Sequence, residues 1–162
     1  MATRRYMEAL SIDSLSADAW LGLAELRLRT GEASEAERVY TAALARLPLL
    51  TEALRGRAHA RWTAGRHVEA EADLQAYAET SGDPRAYREL ADWFGADGRT
   101  PAQLATWRGL LATGVLSEPA SNEARRMVKA LMILVDGADP VGSPLDPEPT
   151  RLALARIARR AP

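Results

Sequence analysis

The chain has 162 residues, a hydrophobic content of 47%, a charged content of 27% and a formal net charge of −1. These values are typical of a soluble, folded chain and argue against disorder and against membrane-spanning helices. The absence of cysteine excludes disulfide scaffolds, thiol catalysis and cysteine-ligated zinc, and the small net charge gives no reason to expect nucleic acid as a partner.

Alanine-rich amphipathic segments follow one another from the N-terminus to about Ala112. Ser16 is predicted to cap the second helix, and Thr100, followed by Pro101, is predicted to cap the seventh. Gly82 and Pro84 are predicted to end one helix and begin the next. The periodicity predicts helices at about 2–12, 17–29, 33–46, 51–63, 67–79, 85–96 and 101–112.

The sequence changes in character after Gly114. Apolar residues at helical spacing predict an eighth helix from about Pro119 to Val135. Residues 139–149 contain four prolines, which predict a linker or a surface loop. A last helix from about Pro149 to Arg160 is predicted to cap the exposed end of the array.

The predicted helices repeat with a period of about 34 residues. The glycines Gly31, Gly65 and Gly98 mark this period, since each stands between two amphipathic segments and the intervals between them are nearly equal. Small and large residues also recur at fixed positions, as expected where helices cross closely and bulky side chains fill the remaining space. One small position is held by Ala24, Ala58 and Ala91, and one large position by Tyr40, Leu74 and Trp107.

This pattern resembles the tetratricopeptide repeat family, in which an aromatic residue, a leucine, small residues, a glycine turn and a proline recur at fixed spacing. The first repeat matches at Trp20, Leu23, Ala24, Gly31, Ala36, Tyr40, Ala43 and Pro48. The resemblance implies an all-α fold, a right-handed α-solenoid of antiparallel helix pairs with a C-terminal capping helix. It implies the second helix of a preceding repeat at 1–16, repeats at 17–50, 51–83 and 84–116, and a divergent helix pair with a proline-rich loop and cap at 117–162.

Several residues depart from the family pattern. Arg57 replaces the leucine of the second repeat, and Gln103 replaces a small residue of the third. Arg27 and Arg61 stand where the family packs Tyr or Leu, so we expect their stems along the core with the heads in water, or a rotation of the first helices. Because the chain begins halfway through a repeat, we expect that residues upstream of Met1 belong to a longer parent protein; a natural N-terminal capping helix is the alternative.

Residues that could support catalysis are sparse. His59 and His67 are the only histidines, and their spacing is not that of a metal site. Glycine-rich phosphate-binding loops are also absent from the sequence. We therefore predict no enzyme activity, no cofactor and no metal site.

The resemblance implies a partner-binding surface on the concave face, which the first helix of each repeat lines. We expect it to bind another protein through an extended or helical peptide with acidic and apolar residues, as a non-catalytic scaffold or adaptor. Leu21 and Glu25 stand where the family's carboxylate clamp has Lys and Asn, so no such clamp is predicted. The candidate partner-binding residues are Leu21, Glu25, Leu28, Arg29, Arg55, His59, Trp62, Arg88 and Asp92.

Other interpretations are compatible with the same residues. The concave residues could be only a solvated surface, with the partner bound at an edge, on the convex side or on a missing repeat. The chain could also be the regulatory or targeting segment of a larger enzyme, or a secretion chaperone or assembly lipoprotein of this repeat class. No signal peptide is visible, and the composition suits a bacterial cytoplasm or periplasm equally.

Overall fold

The computed structural model describes residues 2–136 as eight α-helices, with no β-strand among these residues. The helices are α1 (Ala2–Ile12), α2 (Ala17–Arg29), α3 (Ala33–Arg46), α4 (Thr51–Thr63), α5 (His67–Ser81), α6 (Pro84–Ala96), α7 (Thr100–Ala112) and α8 (Glu118–Asp136). The all-α prediction is confirmed for this part of the chain, and each predicted helix boundary lies within two residues of the observed one. The proline-rich segment and the predicted helix from Pro149 to Arg160 lie outside the described residues.

The chain divides into two compact units, Met1–Ser81 and Gly82–Pro162. In the first unit, each helix from α1 to α5 packs against the next in chain order, and α2 also contacts α4. In the second unit, α6 packs against α7 and α7 against α8. Each unit is therefore built mainly from contacts between helices that are adjacent in sequence.

The same glycine turn joins α2 to α3, α4 to α5 and α6 to α7. Gly31, Gly65 and Gly98 have φ angles of 81°, 78° and 68°, a left-handed conformation that glycine adopts without steric penalty. At each turn the glycine amide donates to the carbonyl three residues earlier, and the following amide donates to the carbonyl five residues earlier. This is the Schellman motif, and it recurs at the spacing predicted from the sequence.

The observed helix ends agree with two of the three predicted caps and breaks. The Ser16 hydroxyl accepts a hydrogen bond from the Ala19 amide at 3.4 Å, which confirms this cap. The predicted cap at Thr100 is wrong, because α7 already includes Thr100 and its N-cap, Arg99, makes no side-chain capping bond. The chain leaves the turn at Gly98 and enters α7 directly, with the Arg99 carbonyl accepting from an amide of the first helical turn. The predicted break near Gly82 is confirmed, since α5 ends at Ser81 and α6 begins at Pro84.

Alanine side chains are frequent in the cores of both units. Small side chains allow neighbouring helices to approach closely, while a few large side chains fill the space beside them. The residues at the predicted small positions Ala24, Ala36, Ala58, Ala70 and Ala91 are all 0% exposed, and those at the predicted large position, Tyr40, Leu74 and Trp107, are buried.

Gln103 is buried at a position where the first two repeats have alanine. It packs against Gly95 of α6, where an added Cβ would lie 2.6 Å from the Gln103 side-chain nitrogen. Leu28 and Trp62 hold the position equivalent to Gly95 in the preceding helix pairs. Because Gly95 of α6 has no side chain, there is space for the larger Gln103 side chain on α7.

The second unit has an apolar core between α7 and α8. Trp107 and Leu110 of α7 pack with Met127 and Leu131 of α8. This arrangement confirms the apolar face predicted for the eighth helix, which spans 19 residues. Within residues 2–136 no helix combines the length and the apolar character that crossing a bilayer requires.

Candidate partner-binding groove

A groove with a volume of about 360 Å³ lies between α2 and α4 of the first unit. Two buried tyrosines, one from α3 and one from α5, form its floor. Its volume falls within the range of small-molecule sites. A volume of this size also accommodates one or two side chains of a bound peptide. The lining residues are Leu21, Glu25, Leu28, Tyr40, Glu52, Arg55, Gly56, His59 and Tyr77.

Helix geometry explains why these side chains face the same space. Leu21, Glu25 and Leu28 follow one another at the spacing of successive helical turns, so they lie on one face of α2. Arg55 and His59 occupy the same positions on α4, one repeat later than Leu21 and Glu25. Because α2 and α4 are in contact, equivalent faces of two equivalent helices together form the walls of the groove.

The floor of the groove depends on a close approach between α3 and α4. The ring of Tyr40 lies directly against Gly56, so that a Cβ at this glycine would overlap the ring. Tyr6 and Gly22 make the same contact one repeat earlier. Sequence reasoning missed both glycines, although the spacing that they share with the tyrosines would have identified them.

The Tyr40 hydroxyl group stays protonated over a wide pH range. Burial raises the pKa of Tyr40 to about 12, and the negative charge of Glu25 adds to this shift. A neutral phenol beside a carboxylate can donate a hydrogen bond to a ligand or to the carboxylate. Tyr40 therefore contributes an uncharged aromatic surface with a hydroxyl group to the floor.

The charged residues of the groove differ in their surroundings. The guanidinium carbon of Arg55 lies 6.0 Å from the centre of the Tyr77 ring, as in a cation–π contact, and Arg55 is half-buried. Glu25 and Glu52 are exposed, and neither forms an ion pair within residues 2–136. Glu52 only accepts a hydrogen bond of 3.4 Å from the neighbouring Thr51 hydroxyl.

The structure brings five of the nine predicted binding residues together. These five are Leu21, Glu25, Leu28, Arg55 and His59.

The other four predicted residues are not among those that line this groove. Arg29 is exposed at the end of α2, and Trp62 stacks on the ring of His67 with a centroid distance of 4.0 Å and an interplanar angle of 14°. Arg88 and Asp92 belong to α6 in the second unit, where Arg88 lies 3.6 Å from Glu123. Five of the predicted residues, all on α2 and α4, thus line one groove of the first unit.

Behind the groove, α4 is attached to its neighbours by buried ion pairs. Arg57 donates to both oxygens of Asp73 at 2.8 and 2.7 Å. Arg61 donates to Glu37 at 2.9 Å and to Asp73 at 2.8 Å, and Arg66 also pairs with Glu37. Asp73 and Glu37 are 6% and 8% exposed. The expectation that the head of Arg61 lies in water is wrong, because buried carboxylates of α3 and α5 bind it.

Arg27 and Phe94 occupy the position of Arg61 in the other two helix pairs. Each contacts the residue that directly follows the glycine of its turn. Arg27 pairs with Glu32 at 2.5 Å, and the Arg99 guanidinium lies 4.7 Å from the centre of the Phe94 ring. The hydrogen bond from Thr30 and the pairing with Arg27 lower the pKa of Glu32. These pairs occupy the positions at which Schellman motifs commonly have a side-chain contact, here polar instead of apolar.

The titratable residues of the described chain are not grouped as in a metal site. No cluster of three His, Asp or Glu side chains that could hold a metal ion occurs within residues 2–136. His59 lines the groove, whereas His67 lies against Trp62.

No protein-family model matches the sequence, and the search of curated proteins finds no match. The groove and its side chains are therefore the basis for inferring a function.

Proposed function

We propose that the chain is a non-catalytic interaction module of the tetratricopeptide type, a right-handed α-solenoid that holds a peptide segment of a partner protein. Three features support this proposal: the recurring glycine turn, the recurring small and large core positions, and the groove between equivalent helices. The groove is the observation on which the functional part depends. In a helical array such a surface is already formed before the partner binds. The entropic cost of ordering side chains and loops on binding is therefore small.

Binding in this groove combines apolar burial with polar contacts. Leu21 and Leu28 are partly exposed beside the tyrosine floor and offer a surface for an apolar side chain. Such burial contributes about 25 cal/mol for each Å² removed from water. Glu25 and Glu52 are exposed in the same groove and provide acceptors for polar groups of the peptide.

Selection from a random peptide display library tests the proposal. Peptides enriched on the immobilised chain are measured against the double variant Leu21→Ser with Arg55→Ala. The matched control is Leu49→Ser with Arg38→Ala, which changes the same residue types at exposed positions outside the groove. Circular dichroism and cooperative unfolding establish that both variants are folded.

The expected result is that the groove variant binds the enriched peptides at least about tenfold more weakly, a difference of about 1.4 kcal/mol, while the control binds like the unaltered chain. Equal binding by the groove variant would contradict the proposed site. Failure of any peptide to be enriched would contradict peptide binding by this module.

A further inference from the structure

The accessible charges of the groove are mainly negative. Glu25 projects from α2 and Glu52 from the first turn of α4, both exposed and without an ion-pair partner within residues 2–136. An exposed carboxylate keeps its hydration in the free protein, and a bound cation can contact it directly. Two such groups line the same cavity of about 360 Å³.

The positive charge of the groove is already engaged within the protein. The Arg55 guanidinium lies over the Tyr77 ring at 6.0 Å, and its side chain is half-buried. Glu25 and Glu52 line the same groove as this guanidinium, and their negative charges oppose the binding of an acidic ligand. The field at the mouth of the groove therefore favours a cation.

Within the first unit, the groove combines two carboxylates with one arginine and one histidine. This balance favours a basic ligand over the acidic peptide expected from the sequence.

We propose that the groove binds a peptide in which a lysine or arginine stands next to an apolar residue, with the cation at Glu25 and Glu52 and the apolar side chain at Leu21 and Leu28. This inference rests on the proposed function and specifies the chemistry of its ligand. The methylene stem of a lysine or arginine packs on the apolar wall while its charged end reaches the carboxylates. Apolar and cationic contacts are then made by neighbouring residues of a single short segment.

The test uses two peptide libraries that differ only in charge. Both have the same length and the same apolar positions, but one contains Lys and Arg and the other contains Asp and Glu at the charged positions. Each is selected on the unaltered chain and on the variant Glu25→Lys with Glu52→Lys. The control is Glu69→Lys with Glu79→Lys, which makes the same change in net charge at exposed carboxylates of α5 outside the groove.

The unaltered chain and the control are expected to enrich peptides from the basic library. The groove variant should bind these peptides at least about tenfold more weakly, and raising the salt concentration should weaken binding to the unaltered chain. Enrichment from the acidic library would overturn the inference while leaving groove binding intact, provided that the Leu21 and Arg55 variant still loses those peptides. Equal loss in the control would also overturn it, because the effect would then come from net charge. If neither library is enriched, both this inference and the proposed function fail.

Discussion

A single carboxylate, Asp73, links two arginines of the helix that forms one wall of the groove. It accepts from Arg57 and from Arg61, and Arg61 also donates to Glu37 of α3. Buried charges of this kind are stable only while their partners are present, since neither group can recover its hydration. These ion pairs link α4, which carries Arg55 and His59 on its groove face, to α3 and α5.

Replacing Asp73 by alanine should destabilise the first unit strongly. Asp73→Ala leaves the largely buried guanidinium of Arg57 without a carboxylate and that of Arg61 with Glu37 alone, and we expect the free energy of unfolding to fall by about 3 kcal/mol. Denaturant unfolding of the variant and the unaltered chain measures this difference. Removal of an exposed carboxylate in the same helix, Glu79→Ala, should change the value by no more than about 0.5 kcal/mol. Similar values for the two variants would show that the ion pairs contribute little.

This ion-pair cluster could not be predicted from the sequence. Arg57 and Asp73 are 16 residues apart, and Arg61 and Glu37 are 24 residues apart, so only the packing of three helices brings them together. The sequence did show that arginine occupies positions where an apolar residue is usual. It did not show which carboxylates compensate, because acidic residues occur on every helix of the first unit.

Glycine has different roles at different places in these helices. Gly56 of α4 allows the Tyr40 ring to reach the floor of the groove, whereas the nearest atom to a Cβ at Gly109 of α7 would be 3.8 Å away, on Tyr87. Both glycines lie inside helices, where alanine is favoured by about 1 kcal/mol when space permits. Alanine substitution at these two positions therefore distinguishes the effect of close packing on stability from the effect of helix propensity.

The two alanine substitutions should change stability in opposite directions. Gly56→Ala forces Tyr40 and α4 apart, and overpacking of this kind lowers the free energy of unfolding by about 2 kcal/mol. Gly109→Ala meets no obstacle and should raise it by up to about 1 kcal/mol. Thermal or denaturant unfolding of both variants and of the unaltered chain measures the change in the free energy of unfolding for each substitution. A gain in stability for Gly56→Ala would show that the close approach of Tyr40 is not required.

At the scale of helices, local signals were sufficient for most predictions. Glycine turns, proline positions and amphipathic spacing act over a few residues, and the observed helices begin and end within two residues of the predicted places. The error at Thr100 has a local cause as well, since the turn at Gly98 continues directly into α7. The contacts of Gly22 and Gly56 with tyrosines join different helices and were not recognised.

At the scale of the molecule, the groove was predicted only in part. Positions in the middle of α2 and α4 face the groove as the repeat pattern implies, because α2 and α4 are equivalent and in contact. Positions at helix ends are less predictable, and Trp62 illustrates this by stacking on His67 of the next helix. Tyr40 and Tyr77 belong to second helices and were not predicted as groove residues, although they form its floor.

Nuclear magnetic resonance of the chain with its most strongly selected peptide tests most directly whether the groove is the binding site. Amide signals are compared with and without peptide at equal pH and salt concentration. Binding in the groove predicts that the largest changes fall on α2 and α4, at and around Leu21, Glu25, Arg55 and His59. Changes confined to other helices, with these signals unmoved by a saturating amount of peptide, would contradict a binding site between α2 and α4.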